Sequence, residues 1–304
     1  MAIFKWLASV TLATTIFPVL QAEPHCPGNV DSLRFRFVQR SQVIAPVTIN
    51  HTGPYDFLVD TGTQVTIVDP SLADALHLER QGEVEVLGVG FQTHAPLSQL
   101  DSLSVGSQAT TAQVVVVQNL GPLQKADVHI RGILGGNFLK HFDVLIDYQH
   151  GLLCLDDANQ MRPNLKGERI ALVTPPQTNG QATASMPLVI AVHLSGVGRP
   201  LLLELDSGAT VPFLFEPAKY LAPGLVLSPT MHGLSGDGMA RAFALLSPQN
   251  MRIGRLTLYQ ISFVTLSRGR TNAPNAGVDG LLTTGLFRST YICYADRFVV
   301  LEPW

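Results

Sequence analysis

A chain of 304 residues, 46% hydrophobic and only 14% charged, has enough apolar content for two domains or one large one. The same figures exclude a disordered, solvating polymer. Its 20 Lys and Arg against 23 Asp and Glu give a net charge of −3, with no basic stripe to neutralise phosphates, which excludes a nucleic-acid binder. With 26 Gly and 20 Pro punctuating the chain, coiled coil is excluded too, and a compact, turn-rich, all-β protein is what remains.

In chain order, the first segment is an address. Lys5 supplies a positive charge, Trp6 to Leu20 is apolar, and Ala22 offers a small residue before Glu23-Pro24. This predicts a secretory signal peptide over residues 1–22 and a secreted or periplasmic protein. The apolar stretch falls short of the roughly 20 residues of a membrane span, so a retained N-terminal anchor is the lesser alternative. Strands are expected at Phe35 to Val38, Val43 to Ile49, Asp56 to Val59 and Gln113 to Val117, then at Leu188 to Leu194, Leu201 to Leu205 and Ile261 to Leu266. Short helices are expected at Ser71 to Leu78, Gly136 to His141 and Leu281 to Arg288. Thr174 to Ala184 is polar and rich in turn formers, hence a linker. The predicted organisation is an N-terminal lobe over 23–170, a linker over 171–184 and a C-terminal lobe over 185–304.

Cys26, Cys154 and Cys293 are too few for a disulfide framework. One pair can bridge in an oxidising compartment, and which pair stays open. Cys154 and Cys293 read as small hydrophobes packed on strands. The nine His include no H-x-x-x-H pair, so neither a metal site nor a cofactor is expected.

The chain is written twice. At an offset of 146, Val43-Ile44-Ala45 meets Val189-Ile190-Ala191, Pro54 meets Pro200, Asp60 meets Asp206, Gly62 meets Gly208 and Val65 meets Val211. At 148, Gly88 meets Gly236, Gly90 meets Gly238, Gly106 meets Gly254 and Gly132 meets Gly280. Matched glycines and strand-like apolar residues are what a repeated backbone demands.

In each half an apolar strand runs into Asp-(Thr/Ser)-Gly: Phe57-Leu58-Val59-Asp60-Thr61-Gly62 and Leu203-Glu204-Leu205-Asp206-Ser207-Gly208. Each half also carries a later hydrophobic-hydrophobic-Gly segment, Gly132-Ile133-Leu134-Gly135-Gly136 and Gly280-Leu281-Leu282-Thr283-Thr284-Gly285. At these residues the sequence resembles the retropepsin-like aspartic proteases, in a single-chain, two-lobed form, from about Phe35 to Leu301. The resemblance implies an all-β fold of two similar β-barrel lobes about a pseudo-twofold axis, with short helices. It also implies an endopeptidase in which Asp60 and Asp206 activate a water for attack on a peptide bond. Two carboxylates brought together do not both ionise comfortably, so one proton is shared, giving a general base and a general acid in one cleft.

By the same resemblance Thr61 and Ser207 lock the two loops across the axis, while Gly62 and Gly208 leave room beside each carboxylate. Leu87-Gly88-Val89-Gly90-Phe91 and Ser235-Gly236-Asp237-Gly238-Met239 stand where such enzymes keep flaps, one per lobe. The implied partner is an extended peptide or protein, bound by a monomer that supplies both aspartates, with no nucleic acid and no metal. Residues 23–33 are too few for a long inhibitory pro-segment. Thr63 follows the first motif and Ala209 the second. A hydroxyl there favours the charged carboxylate, so Asp60 is expected to be the ionised member and Asp206 the protonated one, as microstates of a pair that titrates together.

Blander readings stand beside these. Either Asp-x-Gly alone is an ordinary turn tripeptide; the symmetric pair is what carries the argument. Gly88-Val89-Gly90 lacks the third glycine and helix of a dinucleotide loop, so a hairpin is expected. Asp147 reads as a turn-capping residue, since its repeat partner is Cys293. Glu204 breaks the apolar pattern and faces either solvent or a polar pocket. The competing functions are a peptide-binding protein that does not cut, and a glycosidase, which also needs two carboxylates. The second is disfavoured, because only Trp304 lies beyond the leader to offer a broad stacking platform.

Overall fold

The computed structural model describes residues 23–39, 41–175, 186–217, 231–234, 240–267 and 277–304. The expected signal segment, most of the expected linker and the second glycine-rich tip, Gly236, Asp237 and Gly238, lie outside them. The first lobe runs β1 (Ser32–Arg34), β2 (Arg36–Val38), β3 (Gln42–Ile49), β4 (Thr52–Val59), β5 (Ile67–Val68), α1 (Pro70–Ala75), β6 (Arg80–Gly88) and β7 (Phe91–Val105). It continues with β8 (Gln108–Val117), α2 (Gly121–Ala126), β9 (Ile130–Leu134), α3 (Gly136–Leu139), β10 (Asp143–Asp147) and β11 (Leu152–Asp156). Then come β12 (Glu168–Ala171), β13 (Val189–Leu194), β14 (Leu201–Asp206), β15 (Phe213–Leu214), β16 (Met231–Leu234) and β17 (Ala240–Leu245). The last strands are β18 (Gln249–Ile253), β19 (Leu256–Ile261), β20 (Val264–Leu266), β21 (Gly280–Thr283), β22 (Phe287–Cys293) and β23 (Phe298–Pro303).

The protein is all-β with short helices, built as two similar lobes. In the first, the order β2-β3-β4-β9-β5-β8-β7-β6 is closed by an extra β3–β7 pairing into a barrel of β3, β4, β9, β5, β8 and β7. The second repeats the order as β16-β17-β20-β15-β21-β14-β13-β18-β19. Here the counterpart of the long β7 is divided into β17 and β18, with Leu246-Ser247-Pro248 between. The counterpart of β8 is likewise divided: the single strand expected over Ile261 to Leu266 is the end of β19 and, after Ser262-Phe263, the whole of β20.

A third sheet, β1-β11-β10-β22-β23-β12, joins the lobes. At its centre β10 and β22 run antiparallel with Leu145 opposite Tyr291. In this sheet β12 lies against β23 as β1 lies against β11. Beneath it, one continuous core takes Val43, Ala45, Val47 and Ile49 from β3, Val144 and Ile146 from β10, and Ile190, Val192 and Leu203 from the second lobe.

Pairing registers refine the repeat. Ile44 faces Leu58 and Val189 faces Glu204, so Ile44, not Val43, is the counterpart of Val189. The expected alignment is therefore one residue out along this strand. Val-Ile-Ala is apolar in both parities, and only pairing distinguishes a one-residue slip that exchanges the two faces. The two-residue insertion is present between Val59 beside Leu134 and Leu205 beside Leu282. It is undone before Leu145 meets Tyr291, because α3 has no full equivalent. The helix expected over Leu281 to Arg288 is instead β21, a 3-10 turn at Thr284–Leu286, and β22. The helix expected from Ser71 is α1, started by Pro70 and capped by Asp69, whose side chain accepts from the Ser71 N–H.

Cys154 does not pack as a free hydrophobe. It forms a disulfide with Cys26, tying the N-terminal segment to β11, and Cys293 is the free thiol, buried in the same cluster. Asp147 caps its turn, accepting from the His150 N–H at 3.0 Å.

Candidate active site

Asp60 follows β4 and Asp206 ends β14, at equivalent corners of the two lobes. The Asp60 N–H donates to Leu134 O at 3.0 Å, and Asp206 lies beside Thr283 in the parallel β14–β21 ladder. The next residues reach across the axis. Thr61 Oγ1 donates to Leu205 O at 2.8 Å and Ser207 Oγ donates to Val59 O at 2.7 Å. Each hydroxyl also accepts from the other motif's backbone, Ser207 N–H to Thr61 Oγ1 at 3.0 Å and Thr61 N–H to Ser207 Oγ at 3.1 Å. Thr61 and Ser207 are buried, so these four bonds satisfy both hydroxyls and four backbone groups without water.

The glycines then place the carboxyls. A Cβ built on Gly62 would stand 2.8 Å from Cγ of Asp206, and one on Gly208 would stand 2.5 Å from Oδ2 of Asp60. Each carboxyl therefore lies over the glycine of the opposite motif, and any side chain there would displace it. The room that these glycines leave is thus filled by the opposite acid itself.

Donors are distributed unequally. Asp60 Oδ1 accepts from the N–H groups of Gly62 and Thr63 at 2.8 and 3.1 Å, and its Oδ2 accepts from Thr63 Oγ1 at 2.8 Å. Asp206 Oδ1 accepts from Gly208 and Ala209 N–H at 2.7 and 2.9 Å, and Ala209 has no hydroxyl to add a third. Burial pushes the Asp206 carboxyl well above the usual carboxylate range, and the charges of Asp60 and Glu204 push it further. Glu204 is itself buried, which resolves its expected environment in favour of the interior.

Sequence reasoning missed the support behind the dyad. Asn137 Oδ1 accepts from Thr66 N–H and Oγ1, both at 2.8 Å, and its amide donates to Val114 O, so α3 braces the loop that follows Asp60. Gln42, from the first lobe, donates to Gly208 O at 2.6 Å in the second. Tyr148 Oη and Thr284 Oγ1 share a hydrogen bond between lobes, whereas the buried Tyr294 hydroxyl has no hydrogen-bond partner among the described residues. The two tyrosines were visible in the repeat, since Ile146-Asp147-Tyr148 returns as Ile292-Cys293-Tyr294. Asn137 had no such signal, because its counterpart region is shorter.

The hairpin expected at Gly88-Val89-Gly90 is present. Strands β6 and β7 pair antiparallel up to Gly88 and Phe91, leaving Val89-Gly90 at the tip. Val89 packs against the cluster of Phe213, Val264 and Leu281 in the second lobe. Among the described residues, no group of three or more His, Cys, Asp or Glu is placed to hold a metal ion.

Residues 45–138 match the family model of aspartyl proteases, which bears out the resemblance carried by the motifs. No curated protein sequence is significantly similar. Among solved structures, the crystal structure of aspartic proteinase from Irpex lacteus is similar at a TM-score of 0.44 and 13% identity, covering 90% of this chain and 97% of that one.

Proposed function

With an aspartyl-protease segment in the first lobe as premise, we propose that this chain is an exported aspartic endopeptidase, active as a single two-lobed molecule. The observation that carries the reading is the crossed placement of Asp60 over Gly208 and Asp206 over Gly62. It brings two half-buried carboxyls together at the foot of a cleft over which the Val89-Gly90 hairpin tip reaches to the second lobe.

Asp60, with three donors, holds the negative charge and takes a proton from a water lying between the carboxyls. Asp206, kept neutral by burial, donates to the carbonyl oxygen of the peptide bond as the water attacks. As the C–N bond breaks, Asp60 passes the proton it took from water to the departing nitrogen and a hydroxyl of the gem-diol returns a proton to Asp206, so the pair again holds one proton. An extended peptide between the flap and the dyad is the substrate. The disulfide between Cys26 and Cys154 supports an oxidising destination, in keeping with the leader over residues 1–22.

The test is incubation of the purified protein with a peptide library from pH 3 to 7, alongside Asp60→Ala and Asp206→Ala, with and without a statine-type inhibitor. Cleavage is expected from the wild type only, and is expected to stop with the inhibitor. Cleavage that survives either substitution would refute the dyad, and peptide binding without cleavage by the wild type would establish a binding protein instead.

A further inference from the structure

We propose that Gln42 is a positioning residue for Asp206, acting through the Gly208–Ala209 peptide group. It holds in place the backbone N–H that receives the charge as Asp206 gives up its proton. This rests on the reading of the two aspartates as a dyad. Gln42 opens β3, opposite Val38 of β2, and its Nε2 donates to Gly208 O at 2.6 Å. The carbonyl of Gly208 and the N–H of Ala209 belong to one planar peptide group. That N–H donates to Asp206 Oδ1 at 2.9 Å. A continuous chain of bonds therefore runs from a side chain of the first lobe to the carboxyl of the second. A donor on the oxygen of a peptide group fixes its plane and polarises its N–H, which strengthens the next bond in the chain.

The repeat shows what the chain replaces. Ile44 and Val189 are equivalent by register, so the counterpart of Gln42 is Pro187, which has no side-chain amide to offer. In the first motif the Thr63 hydroxyl joins two N–H groups on Asp60. In the second, Ala209 has no hydroxyl, and Gln42 stands behind the peptide that serves Asp206 instead. Packing does not require a glutamine there. Gln42 is 6% exposed, and its Oε1 is buried with no hydrogen-bond partner among the described residues. The desolvation of that oxygen is offset within the side chain by the bond that Nε2 makes.

Burial and acidic neighbours hold Asp206 neutral, and the groups that favour its charged form are the N–H groups of Ala209 and Gly208. The titratable groups nearest to it are Asp60 across the axis, Glu204 on its own strand, and Tyr148, which follows β10. Tyr294 lies by Asp60 and Glu204, and Arg297 is directed to the carbonyls of Val173 and Pro187. On the adjoining strands His193 of β13 is exposed, and Asp279, before β21, is paired with Arg199. Gln42 carries no charge, so its replacement by another neutral residue leaves all of these groups as they are.

The experiment compares the wild type, Gln42→Leu, Gln42→Met and the double variant Gln42→Leu, Ala209→Thr. NMR follows the Ala209 amide and the Asp206 carboxyl carbon through a pH titration, and peptide-hydrolysis pH profiles are recorded on the same proteins. Gln42→Met keeps the length of the side chain should the leucine variant fail to fold. In both single variants the Ala209 amide proton is expected to move upfield, and Asp206 to titrate about one to two units higher, the worth of one hydrogen bond to a charged group. As Asp206 becomes the more reluctant donor, kcat is expected to fall about ten- to a hundredfold, with KM within about twofold. The basic limb is expected to move toward alkali, while the acid limb, set by Asp60 with its Thr63 bond, stays in place. Ala209→Thr supplies a donor directly and is expected to bring Asp206 and kcat back toward the wild type. A folded Gln42→Leu or Gln42→Met protein in which Ala209 and Asp206 behave as in the wild type would overturn the proposal. If the wild type cleaves nothing, the proteolytic reading fails by itself, and the two resonances still decide what Gln42 does to Asp206.

Discussion

Leu145 and Tyr291 face each other across the two central strands of the shared sheet, and they stand at the same chain separation, 146 residues, as Thr61 and Ser207. The pseudo-twofold relation at the floor of the molecule is thus the one that operates at the carboxyls. The sheet and the motif loops are two levels of a single symmetric assembly, and the acids inherit their opposition from a backbone ladder beneath them.

The lock between the loops is expected to support both stability and rate. Thr61→Val removes a hydroxyl that donates to Leu205 O and accepts from Ser207 N–H, leaving two buried groups unpaired. A loss of about 2 to 6 kcal/mol in unfolding free energy is expected by denaturant titration, at about 1 to 3 kcal/mol for each stranded group. Thr61→Ser, which keeps the hydroxyl, is expected to restore most of it.

The unequal donors predict opposite shifts from opposite substitutions. Thr63→Ala removes the hydroxyl bond to Asp60 Oδ2, so the ionised form loses support and the acid limb of the pH-rate profile moves upward. Ala209→Thr offers Asp206 the bond it lacks, so its proton leaves more readily and the basic limb moves downward. An unmoved acid limb in Thr63→Ala would contradict the assignment of the charge to Asp60.

Asp206 also predicts how stability depends on pH. Its folded carboxyl binds a proton more tightly than the unfolded one, so its contribution is fully present below the unfolded carboxylate range and is lost as pH rises through the raised folded value. Asp206→Asn removes that loss. The variant is expected to match the wild type near pH 3 and to exceed it at neutral pH by about 1.4 kcal/mol for every unit by which Asp206 is raised. Unfolding midpoints at the two pH values check this, in a protein expected to have no peptidase activity.

The cysteines make a separate prediction. The Cys26–Cys154 bridge closes a separation of 128 residues, and Cys26→Ser is expected to cost about 2 to 5 kcal/mol. Burial pushes the Cys293 thiol up to about 11, so a thiol reagent at pH 8 is expected to label it only after denaturation. Rapid labelling of the native protein would contradict its burial.

Much of this was legible in the chain because Asp, Gly and the Thr or Ser between them do specific backbone work that repeats. The hairpin at Gly88-Val89-Gly90 and the unequal donors that follow from Thr63 and Ala209 were legible for the same reason. The phase of the first strand was not, because an unbroken apolar run presents equally acceptable faces. The 3-10 turn at Thr284–Leu286 was hidden because Leu281-Leu282 suits a buried strand as well as a helix. The disulfide partner depended on a 5.9 Å Cα separation that no spacing encodes. Asn137 was hidden for a related reason: its partners Thr66 and Val114 meet it only when β8, α3 and the Asp60 loop are assembled.

The crossing of each carboxyl over the other motif's glycine has a genetic consequence. A lesion at Gly62 is expressed first in Asp206, and one at Gly208 in Asp60, so the phenotype of a mutation in one repeat belongs to the acid of the other. Neither copy of the motif is then free to drift under cover of its twin, as duplicated sequences commonly are. Compensating changes for a damaged half should be sought in the intact one, where the displaced carboxyl is anchored.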